Sequence, residues 1–458
     1  MRWQNTLLLI ASYVFYAWVN WKILSLLIVT TLVFYGLGLA IYNAAGTKKK
    51  NRLNTLGILF GLGVLLYFKY ANFFITAFKD LFEQIGLQTN LHTFSIIVPI
   101  GISFYTFRLL SYLIDINRGK QEPAQDIVAF SAYVAFFPSI LAGPIDRPQL
   151  LLPQLQTKRI FDYNLAIDGC KQILWGLFKK AVIADNCAVV TNFVFDNSAN
   201  LSGSTLLLGA IFFSFQMYAD FSGYSDMAIG IAKLLGFRIT QNFNYPLFAQ
   251  NIADFWRRWH ISLTSWLTDY VFMPLNIKWR DWGKKGLLSA IMIDFIICGL
   301  WHGANWTFVL WGFYHGLLFI PIILSDKMFK KTKIETCKWG FPTLKTLCRM
   351  IFTFFLVTFG LIFFNSESIS SAWTFVSGIF SSSLFIIPSR KVLSSLTLCV
   401  LICVFMFIEW SGRNNQYAIE FLGLRWKKFF RWAVYMFIIF SIFMFVKTKE
   451  TPFIYFQF

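Results

Sequence analysis

Acidic residues are scarce: 22 of 458, against 41 basic ones, and charged residues of both signs make up only 14% of the chain. An ordinary globular protein carries roughly 25%. So little charge cannot clothe a water-facing surface, and 57% of the residues are hydrophobic, 54 of them phenylalanine. That surplus belongs in lipid. Paired cysteines are also missing. The seven present form no CxxC motif, are odd in number and mostly sit in apolar runs, so they read as small packing residues and exclude a disulfide-stapled scaffold. Short alternating strands are absent too, which excludes a β-barrel. There is no GxSxG elbow, GxxxxGK phosphate loop or HExxH helix, and neither a metal nor a tightly bound cofactor is expected.

What is present is a series of long apolar runs separated by basic loops. The net charge of +19 would suggest nucleic acid in a soluble chain. Here the basic residues gather at Lys48 to Arg52, Lys278 to Lys285, Lys327 to Lys338 and Arg425 to Arg431, as cytoplasmic loops do. No nucleic-acid partner is expected. The same residues could also draw an anionic, nucleotide-bearing thioester. Apolar runs occupy Thr6 to Tyr42, Leu56 to Phe78 with Gly57 and Gly61 at helix-pairing spacing, and Ile96 to Ile114. Asp80 and Glu83 follow the second run and read as an outside loop, while Arg118 and Lys120 bring the chain back inside. Between Ile127 and Val190, Pro138, Pro144, Pro148 and Pro153 break the pattern, and backbone of that kind is re-entrant or lines a cavity. Leu206 to Phe237 carries Gln216, Tyr218, Asp220, Tyr224 and Asp226, which read equally as a polar passage or as a hydrogen-bonded seam. Further runs span Leu287 to Leu324, Met350 to Phe364, Val392 to Trp410 and Phe429 to Val446. The fold class is an all-α polytopic integral membrane protein with about ten or eleven spans in one transmembrane domain over residues 1–458. No cleavable leader is expected at the front.

Four histidines are the scarce chemistry. His92 sits in a polar loop and reads as a solvated bystander. His302 lies in ICGLWHGANWTF; if that run is one helix, Cys298, Asn305, Trp306 and Val309 share its side. His315, thirteen residues on, would then face about 220° away and reads as a satisfied helix histidine. His260 lies in FWRRWHISLTSWLTDYVFMPL, where one continuous helix gives an aromatic stripe of Trp256, Trp259, Trp266 and Tyr270 with His260 at its edge and a polar back. Arg257 and Arg258 read as headgroup-belt residues or as substrate clamps. An imidazole in lipid is costly without a polar purpose, and as a general base toward an acyl carbon it is worth typically 10²- to 10⁴-fold.

The strings PIGISFYTFRLLSYLID, LAGPIDRP, QMYADFSGYSDMAIGIAKLLGF, NFNYPLFAQNIADFWRRWHISLTSWLTDY and CGLWHGANWTFVLWGFYHG resemble the membrane-bound O-acyltransferase family, most densely from Pro99 to Gly316, with C-terminal helices over 350–458. The ending FIYFQF is also similar. Within the family the likeness is to subunits that acetylate alginate, peptidoglycan and other exopolysaccharides. The resemblance implies a ring of tilted helices around a central tunnel, with His302 and His260 as the catalytic histidines. Asn305, Trp306, Asp220, Tyr218, Arg257 and Arg258 become candidates for binding substrate or lining that tunnel. It also implies an acetyl donor such as cytoplasmic acetyl-CoA, surrounding membrane lipids, the bacterial cytoplasmic membrane, and an esterase-like partner outside it. A further apolar segment is implied ahead of MRWQNTLLLIASYVFYAW. The chain departs from relatives at Thr268, often basic there, and at NIKWRDWGKKG after Pro274, where they carry a glycine-rich turn. Two alternatives remain: transfer of D-alanyl groups to teichoic acids, and a non-enzymatic polymer-export or transport subunit.

The loop charges predict an orientation. Single cysteines placed at Lys49 and Lys285 should react with a membrane-impermeant maleimide only in inside-out vesicles, and one at Glu83 only in intact cells or spheroplasts. The reverse pattern would refute this reading of the loops.

Overall fold

A computed structural model describes residues 1–87, 92–326, 328, 330, 332–423, 426–447 and 452–454. Lys327, Lys331 and Arg425 of the basic clusters, and residues 455–458 of the C-terminal motif, lie outside the described residues. The described residues contain no strand, only an isolated bridge between Thr336 and Pro342. Seven helices among them are long and apolar enough to cross a membrane. Other apolar helices are shorter: at 1.5 Å per residue, 16 residues reach about 24 Å, short of the roughly 30 Å hydrocarbon core.

The chain groups into two compact units. The first comprises Met1–Ala166 and Ala232–Thr240. It contains α1 (Arg2–Val19), α2 (Trp21–Tyr42), α3 (Thr47–Leu65), α4 (Ala71–Gln84), α5 (Ile102–Asn117), α6 (Ile127–Val134) and α7 (Pro148–Leu155). The long N-terminal run is thus two helices, split at Asn20, whose side chain caps α2 by accepting from the Lys22 amide. The Gly57 and Gly61 pair acts within this unit: Gly57 faces Leu113 of α5, and Gly61 faces Phe34 of α2 and Leu110 of α5.

Non-helical backbone between α6 and α7 is buried, as the prolines foretold, and its carbonyls need donors. Arg108 of α5, 1% exposed, supplies them. Its guanidinium donates to the carbonyls of Tyr133 (3.3 Å), Val134 (3.5 Å) and Pro144 (3.1 Å) and to Ser139 Oγ (2.5 Å). Asp146 stands 3.7 Å from it, a loose pair, and Asp146 Oδ1 accepts from the Thr240 amide at 2.8 Å. The planar fork of donors suits this work, where a single ammonium could not span four acceptors.

The second unit comprises Ile167–Ile231 and Gln241–Phe458. Beginning with α8 (Tyr163–Phe178), which starts just before it, the helices in order are α9 (Asp185–Asp196), α10 (Gly203–Leu234, whose last three residues are counted with the first unit), α11 (Ile252–Trp256), α12 (Ile261–Leu267), α13 (Met273–Lys278), α14 (Lys284–His302) and α15 (Trp306–Leu318). They continue with α16 (Ile320–Leu324), α17 (Leu344–Asn365), α18 (Ile369–Ile379), α19 (Arg390–Leu393), α20 (Leu396–Ser411) and α21 (Lys428–Phe445).

Replacing Arg108 with Met should strand four buried acceptors and cost about 3–5 kcal/mol, the range for removing one partner from a buried charged pair. The thermal midpoint of the purified protein in detergent should fall by several degrees, with Arg108→Lys recovering only part of it. An unchanged midpoint would show that Arg108 does not hold this segment.

Candidate active site

The run holding His302 and His315 is not one helix. Gly303 is extended (φ −163°, ψ 157°), and Asn305 caps the next helix by accepting from the Thr307 amide at 3.1 Å. So α14 ends at His302 and α15 turns back against it. The two backbones touch because neither Gly299 nor Gly312 has a Cβ: one there would strike the carbonyl of Phe308 or of Phe295 respectively. This corrects two expectations. His315 does not face away from His302, because the indole of Trp311 meets both imidazoles, with centroids 5.2 Å from His302 and 4.8 Å from His315. Cys298 shares the face of His302, but Asn305, Trp306 and Val309 belong to a different helix.

His302 is 5% exposed, packed by Trp301 (5.0 Å), Trp311 and Phe364 (5.1 Å), with Cys298 Sγ 3.9 Å from its Nε2. His315 is satisfied, as expected: its Nδ1 accepts from the Trp256 indole at 3.3 Å.

The continuous helix expected from Trp256 to Tyr270 is also broken. α11 ends at Trp256, and His260 takes a left-handed conformation (φ 43°, ψ 52°) before α12 begins. Periodicity cannot see such a residue. Trp256, Trp259 and Trp266 are all buried, and with the helix broken they do not form the one continuous aromatic stripe expected of an element at the membrane interface or along a wet cavity. His260 Nδ1 lies 3.1 Å from Asn242 Oδ1. The same oxygen accepts from the Ser262 amide (3.2 Å) and Ser262 Oγ (2.9 Å), which fixes it as the acceptor. Nδ1 of His260 must therefore carry the hydrogen, leaving the lone pair on Nε2. Burial pushes the His260 pKa down to about 3, so the ring is neutral at ordinary pH. Trp301 joins the two histidines, with centroids 5.8 Å from His260 and 5.0 Å from His302.

The polar string of α10 forms a hydrogen-bonded seam with a small cavity in it. Tyr218 donates to Glu409 (2.6 Å), which also accepts from Trp175 (3.1 Å). Lys179 pairs with Asp226 (2.5 Å), and Lys180 with Asp220 (2.8 Å) and Asp185 (2.9 Å). The Ile454 amide donates to Asp220 (2.8 Å), so part of the C-terminal motif docks here. Tyr218, Asp226, Asn242 and Glu409 line a space of about 20 Å³, room for about one water. Gln241 and Gln416 line both this space and an open polar basin of about 1000 Å³ that is also lined by Arg258, Lys333 and Arg413.

The other sequence candidates are placed as follows. Arg258 pairs with Asp254 (3.0 Å) at the basin wall, and Arg257 donates to the carbonyls of Met328 and Lys330 (both 3.2 Å). Asn305 is spent on its cap and on the Glu367 carbonyl (2.8 Å), and Trp306 is 54% exposed. Thr268 bonds back to the Thr264 carbonyl (2.7 Å). Sequence reasoning missed Glu409 and Lys179, and it treated Cys298 as packing. The one-turn spacing of Asp294, Cys298 and His302 on α14 was the available signal.

Residues 13–366 match the model of the membrane-bound O-acyltransferase family. The chain is 38% identical over 431 residues to the probable alginate O-acetylase AlgI of Azotobacter vinelandii, covering 92% of this chain and 82% of that one. It is 34% identical over 399 residues to the peptidoglycan O-acetyltransferase of Helicobacter pylori (81% and 72% covered), and 30% identical over 280 residues to the teichoic acid D-alanyltransferase of Bacillus subtilis (58% and 69% covered). The broken helices that bring two buried imidazoles to one indole lie inside the matched segment, and the chain belongs to the membrane-bound O-acyltransferase family, as a multi-pass membrane acyltransferase.

Proposed function

We propose that this protein is an O-acetyltransferase of the bacterial cytoplasmic membrane. It takes an acetyl group from a cytoplasmic thioester, acetyl-CoA being the simplest, and passes it to a hydroxyl of an extracellular polysaccharide or peptidoglycan with the help of an esterase-like partner outside. The observation that carries this reading is the His260, Trp301 and His302 cluster in a segment 38% identical to an alginate O-acetylase. Thioester donors are activated already, so the enzyme must supply a base, a position and exclusion of water. His302, buried among aromatic rings, takes the proton of the attacking group. His260, held in one tautomer by Asn242, presents Nε2 as an acceptor and orients the reacting hydroxyl. The basin bearing Arg258, Lys333 and Arg413 supports an anionic donor, and its residues 332–336 belong to the basic loop read as cytoplasmic.

D-alanyl transfer is the second reading, favoured by the likeness to the Bacillus subtilis enzyme but over a shorter stretch. The group carried would then contain an amine, which its mass identifies.

In cells lacking the chromosomal gene, a His302→Ala copy should leave polymer O-acetyl content about 10²-fold or more below the wild-type copy at equal protein level. Full acetylation would end the proposal. Asn242→Ala removes one oriented hydrogen bond from His260, and a loss of about 1.4 kcal/mol corresponds to about tenfold in rate. Turnover should fall by that order with little change in the donor concentration needed for half-maximal rate. An unaltered rate would show that His260 needs no fixed tautomer.

A further inference from the structure

We propose that an apolar groove lined by α17 and α20 holds one chain of an anionic phospholipid of the cytoplasmic leaflet, with the lipid phosphate at the Arg413 guanidinium. This goes beyond the acyltransferase reading and does not depend on it. The groove encloses about 370 Å³, within the roughly 300–1,000 Å³ usual for ligand pockets, and every residue lining it is apolar. Phe248, Met350 and Trp410 are buried in its wall, whereas Ile351 and Phe407 remain exposed. Such a lining offers a polar group no partner, so what fills it is hydrocarbon.

Its depth and its charge follow from the chain. α17 begins at Leu344, directly after the basic loop read as cytoplasmic, and the groove residues on it lie between Leu347 and Phe354, within about 15 Å of that end. Those on α20, from Met406 to Trp410, lie at its close, and Arg413 follows three residues later. The Arg413 guanidinium stacks on the Trp410 ring, 4.1 Å from its centroid, so one side chain of the groove wall also carries a cation. One of its donors goes to the Trp410 carbonyl (2.7 Å), and among the described residues no carboxylate pairs with it. The basin wall to which Arg413 belongs sets Arg258, Lys333 and Arg413 against Glu420 alone. That surplus favours an anionic headgroup over a zwitterionic one, and a planar guanidinium can give a phosphate two parallel hydrogen bonds.

One short segment lines both groove and basin. The chain turns at Gly340 (φ 78°), the Cys337 amide donates to the Phe341 carbonyl (2.8 Å), and the Thr343 amide donates to the Glu335 carbonyl (3.0 Å). On one leg of this turn Lys333, Ile334 and Thr336 line the basin, and on the other Phe341 and Pro342 line the groove. Trp410 donates its indole hydrogen to the Gly340 carbonyl (3.1 Å), which ties the turn to the residue under Arg413. A lipid chain against Phe341 and Pro342 therefore packs the turn from the groove side while its phosphate meets Arg413 at the basin edge. Only an amphipathic anion uses both surfaces. A soluble anion leaves the groove unfilled, and a neutral lipid leaves the cation unmatched.

The test places the full-length protein in phosphatidylcholine nanodiscs with a small fraction of a phospholipid bearing a diazirine in one chain. The probe is offered either as phosphatidylglycerol or as phosphatidylcholine with the same chains, and adducts are mapped by mass spectrometry after illumination. α21, whose exposed Phe437 and Phe440 sample bulk lipid, supplies the baseline. On Met350, Ile351 and Phe407 the phosphatidylglycerol probe should give about fivefold more adduct than its neutral counterpart, the preference expected of one arginine at an anionic headgroup, with equal labelling of α21. Arg413→Gln should erase that preference and Arg413→Lys should keep part of it. Ile351→Trp, which fills the groove from an exposed position, should lower groove labelling by both probes while α21 is labelled as before, showing that the protein is still inserted. Equal labelling of the groove by the two probes would reduce the site to ordinary surrounding lipid and overturn the proposal. A preference that survives Arg413→Gln would overturn the phosphate assignment, and displacement of the probe by a polyprenyl phosphate but not by unlabelled phosphatidylglycerol would overturn the choice of phospholipid. None of these readouts requires acyl transfer, so the acyltransferase reading stands or falls separately.

Discussion

The contact on which the second unit's chemistry depends is the backbone approach of α14 and α15. Gly299 and Gly312 let carbonyls of the facing helix come where any side chain would block them. That approach brings His302 against Trp311, the indole that also meets His315. A wider hairpin would leave two isolated imidazoles in an apolar medium, where each would be a cost without a purpose.

The two units solve the same problem differently. Backbone that departs from helix inside an apolar environment must find partners within the protein. In the first unit one arginine gathers the carbonyls of a proline-broken segment. In the second, an asparagine serves the opposite kind of group at smaller scale: Asn242 Oδ1 accepts from the amide of Ser262, two residues after the left-handed His260, and from that histidine's ring. The strained residue and the oriented imidazole are held by the same atom, which is the pattern expected where backbone irregularity serves a site.

Much of this was legible in the residues. Membrane class, basic loops and the apolar runs follow from composition and spacing, and the two histidines stood out because charge is so rare around them. What failed was the helical wheel. It assumed continuity from Trp256 to Tyr270 and from Cys298 to His315, and in both places the chain turns through residues that carry no hydropathy signal: a left-handed histidine and an extended glycine. Arg108 was the missed warning, since an arginine inside Ile96 to Ile114 demanded buried acceptors. Glu409 and Lys179 escaped because their partners come from helices distant in sequence, 191 residues in the case of Tyr218 and Glu409.

The central claim is that this chain moves acyl groups onto a polymer outside the cell. Mass analysis of ester-linked groups on the surface polymers of otherwise identical cells, with and without this gene, tests it most directly. The account predicts that acetyl esters disappear from one polymer when the gene is removed and return with it. Unchanged esters on every surface polymer would contradict it.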